Sequence, residues 1–245
     1  MKKYNCSRYK PIAYVKPKYI DEILKRGGYD LEDGKERLPK AQQNIADFIK
    51  RLMVRRFESS SRAFFKTLNK IIDSNKKIIH FYEKGGFIPI YKKGELPDYE
   101  EIFDLSSNDN ENTDDLENLS INEILKNPSI KILESKGMWI IEKKHLKENF
   151  ITDVKKDLDI LEEIRDKWNI VNSKNFADPK IESFRKIILK QLKKDPKRKI
   201  IVFTEFSDTA EYLYNKMLKE FRVYKYTSKE ANNKKIKEKI IQNFD

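Results

Sequence analysis

The stretch KIIVFTEFSDTAEYL, Lys199 to Leu213, decides how this chain is read. Ile200 to Phe203 are consecutive apolar residues, the pattern of a short strand buried on both faces. Thr204, Glu205 and Phe206 give the strand a polar exit, and Ser207 or Asp208 can cap a helix over Asp208 to Phe221. Beyond it, Val223 to Thr227 reads as a second strand and Asn232 to Asn243 as a second helix. Before it, Asp195-Pro196 is a turn, and Asp178-Pro179 opens a helix over Lys180 to Lys194 with Pro in its first turn. This alternation predicts a βαβα unit with a parallel sheet over residues 176–245. Such a sheet has an unprotected edge, so marginal stability or self-association of the C-terminal part is expected.

Further upstream the chain reads as helical. One helix is predicted over Pro39 to Phe57, with Ile45, Phe48, Leu52 and Met53 at helical spacing. A second runs from Ser59 to Glu83 on a stripe that includes Phe64, Leu68, Ile71, Ile72 and Ile78. Ser59 to Ser61 supply caps, and Gly85 and Gly86 stop it. Lys144 to Trp168 is helical again, with Val154, Leu158, Leu161, Ile164 and Trp168 on one face. Its carboxylates, Asp157 included, read as a solvated face. Residues 1–38, with Pro11, Pro17, Gly27, Gly28 and Gly34, read as a surface connecting segment holding one short helix near Tyr19 to Lys25. Residues 39–175 form a helical region with a flexible acidic insertion at 98–120. The fold class expected is thus α/β and mostly helical.

Composition narrows the function. The 245 residues carry a net charge of +12 and are 38% charged. Nine acids fall between Asp98 and Glu117, so the rest of the chain is more basic still, a field that attracts polyanions. One cysteine excludes an internal disulfide framework and fits a reducing, cytoplasmic compartment. Two histidines, His80 and His145, are a poor supply for a metal site or a His-based triad. No apolar run is long enough to span a membrane, so no membrane partner is expected.

Few residues offer chemistry. There is no Gly after Gly137, so the C-terminal part has no Gly-rich cradle for a nucleotide phosphate. Neither a catalytic residue nor a metal ligand is assigned. Arg55 and Arg56 point about 100° apart on a helix, so one can pair with an acid such as Glu58 while the other faces a phosphate. Thr204, Glu205 and Phe206 stand at the carboxyl end of the expected strand, where open α/β sheets meet their ligands. Lys180, Arg185, Lys186, Lys190, Lys193, Lys194, Lys197, Arg198 and Lys199 cluster before it.

These segments resemble a known family. RYKPIAYV (Arg8 to Val15), RLMVRRFESSSRAFFKTL (Arg51 to Leu68), FITDVKKDLDILEEIRDKW (Phe150 to Trp168), DPK (Asp178 to Lys180) and KRKIIVFTEFSDTAEYL (Lys197 to Leu213) look, in order, like the middle of bacterial Swi/Snf-type superfamily-two helicases. The likeness is to those often fused to a phospholipase-D-like domain. The resemblance implies a motor of two RecA-like lobes that uses ATP and Mg to step along nucleic acid. This chain would be a fragment holding the inter-lobe helices and the first half of lobe two. The family's Walker A, DExx and threonine-alanine motifs of lobe one have no counterpart here, nor does the later arginine finger, so no cofactor is expected in the chain itself. Arg55 and Arg56 match the family's basic pair and Thr204, Glu205 and Phe206 its motif IV. The resemblance puts all five near the nucleic-acid track or the lobe interface. The expected partners are duplex DNA and the first helicase lobe. Two other readings stay open: a stand-alone helicase-derived nucleic-acid-binding or regulatory protein without ATP turnover, and an interaction module docking through the helices of Pro39 to Glu83.

Overall fold

A short helix, α1 (Ile20–Arg26), ends at Gly27 and Gly28, and Asp30 then caps the longest helix, α2 (Leu31–Ser59). The Asp30 Oδ1 accepts from the amides of Glu32 (2.9 Å) and Asp33 (3.1 Å), two donors that a helix start leaves without partners. The helix therefore begins two turns before Pro39, where the sequence predicts its start. An internal proline costs about 3 kcal/mol in lost hydrogen bonding and strain. Burial of Leu38 beside it offsets part of that cost. The computed structural model describes residues 3–91, 138–173, 176–228, 230–231 and 233–244, so the acidic insertion expected at 98–120 lies outside the described residues.

The chain is mostly helical. After α2 come α3 (Ser61–His80), β1 (Phe87–Tyr91), β2 (Met138–Glu142), α4 (Asn149–Trp168), α5 (Pro179–Lys194), α6 (Ser207–Met217) and α7 (Lys234–Phe244). Two compact units divide it: Met1–Leu52 with Leu68–Asp166, and Met53–Thr67 with Lys167–Asp245. These bounds differ from the sequence-based division at residues 38 and 175, because burial groups the elements differently from their order along the chain.

The first unit is built on an antiparallel strand pair that the sequence reading does not anticipate. Strands β1 and β2 pair antiparallel, with Ile88 opposite Ile141 and Ile90 opposite Trp139. All four side chains are buried on one face, in a core shared with Ile23, Leu24, Phe150 and Val154. Pro89 sits within β1, where a two-stranded sheet leaves outward-facing amide positions that tolerate it. Gly86, at φ 70°, supplies the left-handed residue between the turn that ends α3 and the start of β1.

The N-terminal residues are core, not a surface connector. Tyr4, Cys6, Ile12 and Val15 are almost wholly buried. The Lys16 amide donates to the His145 carbonyl (2.8 Å) and the Lys147 amide to the Tyr14 carbonyl (2.8 Å). A second correction concerns Asp157, read from sequence as solvated. It is 1% exposed, and its two carboxylate oxygens each accept a 2.6 Å hydrogen bond, from the amides of Asn5 and Ser7. Cys6 between them takes φ 57°, which turns both amides toward one anion. Asp157 follows Val154 by three positions and precedes Leu161 by four, so it lies in the apolar stripe of α4 and not on its wet face.

In the second unit, Ile181, Tyr212 and Met217 form the buried centre, with Phe184, Leu213, Phe221 and Val223 packed against them. Phe57 meets Trp168 and Phe64 edge-to-face at 5.0 and 5.4 Å, so Trp168 packs against aromatic neighbours. The strands expected at Lys199 to Phe203 and Val223 to Thr227 are not formed among the described residues, and no parallel sheet is present there. A strand exists only through its ladder, and two parallel strands alone are too few to hold one in water. The intervening helix α6 is present, begun at Ser207 as the spacing predicts.

Replacing Asp157 by Asn is expected to destabilise the protein by roughly 2–3 kcal/mol, because one buried amide donor would then face an NH₂ group. Urea unfolding followed by circular dichroism measures the loss. Limited aminopeptidase digestion should release the N-terminal residues faster from Asp157→Asn than from the unaltered protein.

Candidate functional site

The end of α2 and the start of α6 bring the sequence-predicted residues together within the second unit. Arg55 pairs with Glu205 at 3.1 Å. The Arg56 guanidinium lies 4.3 Å from the centre of the Phe206 ring and reaches the Asp208 carboxylate at 3.1 Å. Thr204 sits beside them, its hydroxyl accepting a long 3.5 Å hydrogen bond from the Phe206 amide. Five residues chosen from two distant segments are thus spatial neighbours, and the partner of the basic pair is not Glu58.

The two arginines differ in character. The Arg56 side chain is 8% exposed, while that of Arg55 is 59% exposed. Arg56 is fixed on one side by stacking on an aromatic face and on the other by a carboxylate, the combination that a planar guanidinium provides and an ammonium does not. Arg55 holds Glu205 at the surface, where an ion pair contributes at most about 1 kcal/mol and is readily exchanged for another anion.

Asp208 is the residue that sequence reasoning assigned to another task. It was expected as a possible helix cap, but no side chain caps α6, and Asp208 instead bridges Arg56 and Lys66 (2.8 Å). Burial pushes its carboxyl up, yet the hydrogen bonds and charges of Lys66 and Arg56 outweigh that and hold it below the ordinary carboxylate range. Nothing local in the sequence could have found this pairing, because the partners lie 152 and 142 residues away.

A second polar cluster anchors the turn between α2 and α3. Ser60 caps α3 by accepting from the Ala63 amide (3.0 Å). Ser59 shares a 2.7 Å hydrogen bond with Thr209. Ser61 donates to Asp178 (2.7 Å), which also caps α5 by accepting from the Lys180 amide (3.0 Å) and receives the Tyr212 hydroxyl (3.3 Å). Burial first, then the adjacent Asp178, raises the Tyr212 phenol to about 12, so it stays a donor. The Lys180 ammonium donates to the carbonyls of Ser59 (3.0 Å) and Glu58 at the end of α2, where a cation is favoured by the helix dipole. The serines and Asp178 were legible as caps; their mutual engagement was not.

This arrangement positions charged groups and holds helix ends. The starts of α5 and α6 each carry an acid, Asp178 and Asp208, close to where a nucleotide phosphate would have to sit, so these residues do not fit ATP by themselves. Among the described residues no group of three His, Cys, Asp or Glu side chains is placed to hold a metal ion. The chain matches no protein-family model, no curated protein and no solved structure.

Arg56→Ala is expected to lower the stability of the second unit by about 2–3 kcal/mol, removing the stack on Phe206 and leaving half-buried Asp208 with Lys66 as its remaining counter-charge. Because the folded-state pKa of Asp208 is depressed, its stabilisation is complete above the unfolded value of about 3.9 and fades as pH falls through the lower folded value. Trp168 fluorescence in a Trp139→Phe background should therefore show the unfolding midpoint dropping below about pH 4, and less steeply in Asp208→Asn.

Proposed function

We propose that the chain is part of an ATP-driven nucleic-acid translocase or helicase of the Swi/Snf type, acting on duplex DNA. Its second unit would grip backbone phosphates and contact the ATP-binding lobe, without an ATP site of its own. The observation that carries this reading is the convergence of Arg55, Arg56, Glu205 and Phe206, the two most specific segments of the family resemblance, into one cluster. The RecA-like parallel sheet belongs to the same proposal. It is supported by the alternation of half-buried Val223, Lys225 and Thr227 with exposed Arg222, Tyr224 and Tyr226, the pattern of a strand covered on one face.

The residues divide the labour. Arg56, buried and doubly held, maintains the geometry of the α6 start. Arg55 is the better phosphate ligand, since its exposed pairing with Glu205 opens at little cost. The exposed lysines of α5, Lys186, Lys190, Lys193 and Lys194, extend a positive surface that reads charge and not base sequence. A second reading, a helicase-derived interaction protein without ATP turnover, is favoured by one observation: both arginines are engaged by carboxylates of the same unit, as in a purely structural latch.

Fluorescence anisotropy with a labelled DNA duplex separates the two. The proposal predicts affinity falling linearly with salt on logarithmic axes between about 50 and 200 mM, with Arg55→Glu weakening binding several-fold and flattening the slope. Binding indifferent to salt, or to Arg55, supports the latch.

A further inference from the structure

Ile200 to Phe203 are 38% to 91% exposed, Phe203 most of all. Among the described residues, no backbone amide or carbonyl of these four has a hydrogen-bond partner. Consecutive β-branched and aromatic side chains exposed on both faces, with an unpaired backbone between them, are complementary to another extended strand. A helix laid on the stretch would cover the side chains and leave the backbone groups unsatisfied, as would a lipid surface.

We infer that Ile200–Phe203 pairs antiparallel with the same segment of a second copy of this chain, giving a two-fold dimer. The charges flanking the segment select this occupant and its direction. Lys197, Arg198 and Lys199 precede it and Glu205 follows it. Parallel pairing in register sets like charges side by side, whereas antiparallel pairing sets basic against acidic. A two-fold axis normal to the sheet requires facing residues to point to the same side, so one residue must face its own copy. With Val202 on the axis, Ile201 faces Phe203, Ile200 faces Thr204 and Lys199 faces Glu205, twice by symmetry. Shifting the axis to Phe203 sets Ile201 against Glu205. Shifting it to Ile201 sets Lys199 against Phe203. The register on Val202 therefore matches apolar with apolar and charge with charge. Glu205 can join it because its bond to Arg55 is a surface pair. The inference rests on the exposure and flanking charges of this stretch and not on the nucleic-acid reading, with which it shares Glu205.

Sedimentation velocity on the full chain, up to about 100 μM, tests it. The expected result is a concentration-dependent monomer–dimer equilibrium. Val202→Lys, which brings two ammonium groups together on the axis, should raise the dimer dissociation constant roughly tenfold or more. Glu205→Lys and Lys199→Glu should each weaken self-association, and an equimolar mixture of the two should restore it as a heterodimer. The loss in each single variant requires the antiparallel register, because parallel pairing already sets like charges together and either change would only exchange one like pair for another. Circular dichroism confirms that these exposed substitutions leave the helices intact. A monomer at every concentration, an unaffected Val202→Lys dimer, or no rescue on mixing would overturn the inference. A monomer would assign the stretch to a strand of a different polypeptide.

Discussion

A helix end leaves unsatisfied amides or carbonyls, and in the second unit the break at Ser59–Ser61 leaves both kinds together. The unit is organised around meeting that demand. Lys180 supplies donors to the α2 carbonyls, Ser60 accepts at the start of α3, and Asp178 and Thr209 engage Ser61 and Ser59. Because Asp178 also caps α5, two helix starts and one helix end are satisfied by one polar cluster, which Thr209 ties to the first turn of α6. Arg56 and Phe206 close it with a stacked, charge-paired contact. The site residues therefore occupy their positions for reasons of helix termination as much as of function.

The first unit solves a similar problem differently. Its N-terminal segment has no long regular element, so its backbone groups must find partners one by one. Asp157, Gln42, and the carbonyls around His145 supply them. A buried carboxylate that accepts two short hydrogen bonds from backbone amides is an expensive device in isolation. It is retained where the amides it satisfies would otherwise be buried alone. The positive φ of Cys6 is the local strain that allows it.

The unpaired Ile200–Phe203 stretch stands against this background of satisfied groups. In the same unit the end of α2 and the starts of α3 and α5 find partners for their polar backbone; the four residues of this stretch find none among the described residues, and their side chains are exposed. Both nucleic-acid contact at Thr204 to Phe206 and strand pairing at Ile200 to Phe203 draw on Glu205, so the two would compete for one surface.

The sequence by itself determined the helices, because their signals are local: apolar spacing along α2 to α6, Ser60 and Asp178 as caps, and glycines at the ends of α1 and α3. It also named the five residues that the fold collects around Arg56. Only the tertiary structure decided what each polar group does. Asp157 turned inward because its place in the apolar stripe met two amides 150 and 152 residues away, and Asp208 became a counter-ion because Arg56 and Lys66 arrived beside it. The early start of α2, past its own proline, and the β1–β2 pairing were likewise set by burial over distances that no local pattern records. The strand character of Ile200 to Phe203 shows the converse. Its propensity is local, but a ladder needs a second backbone, and that is a property of the partner and not of the segment.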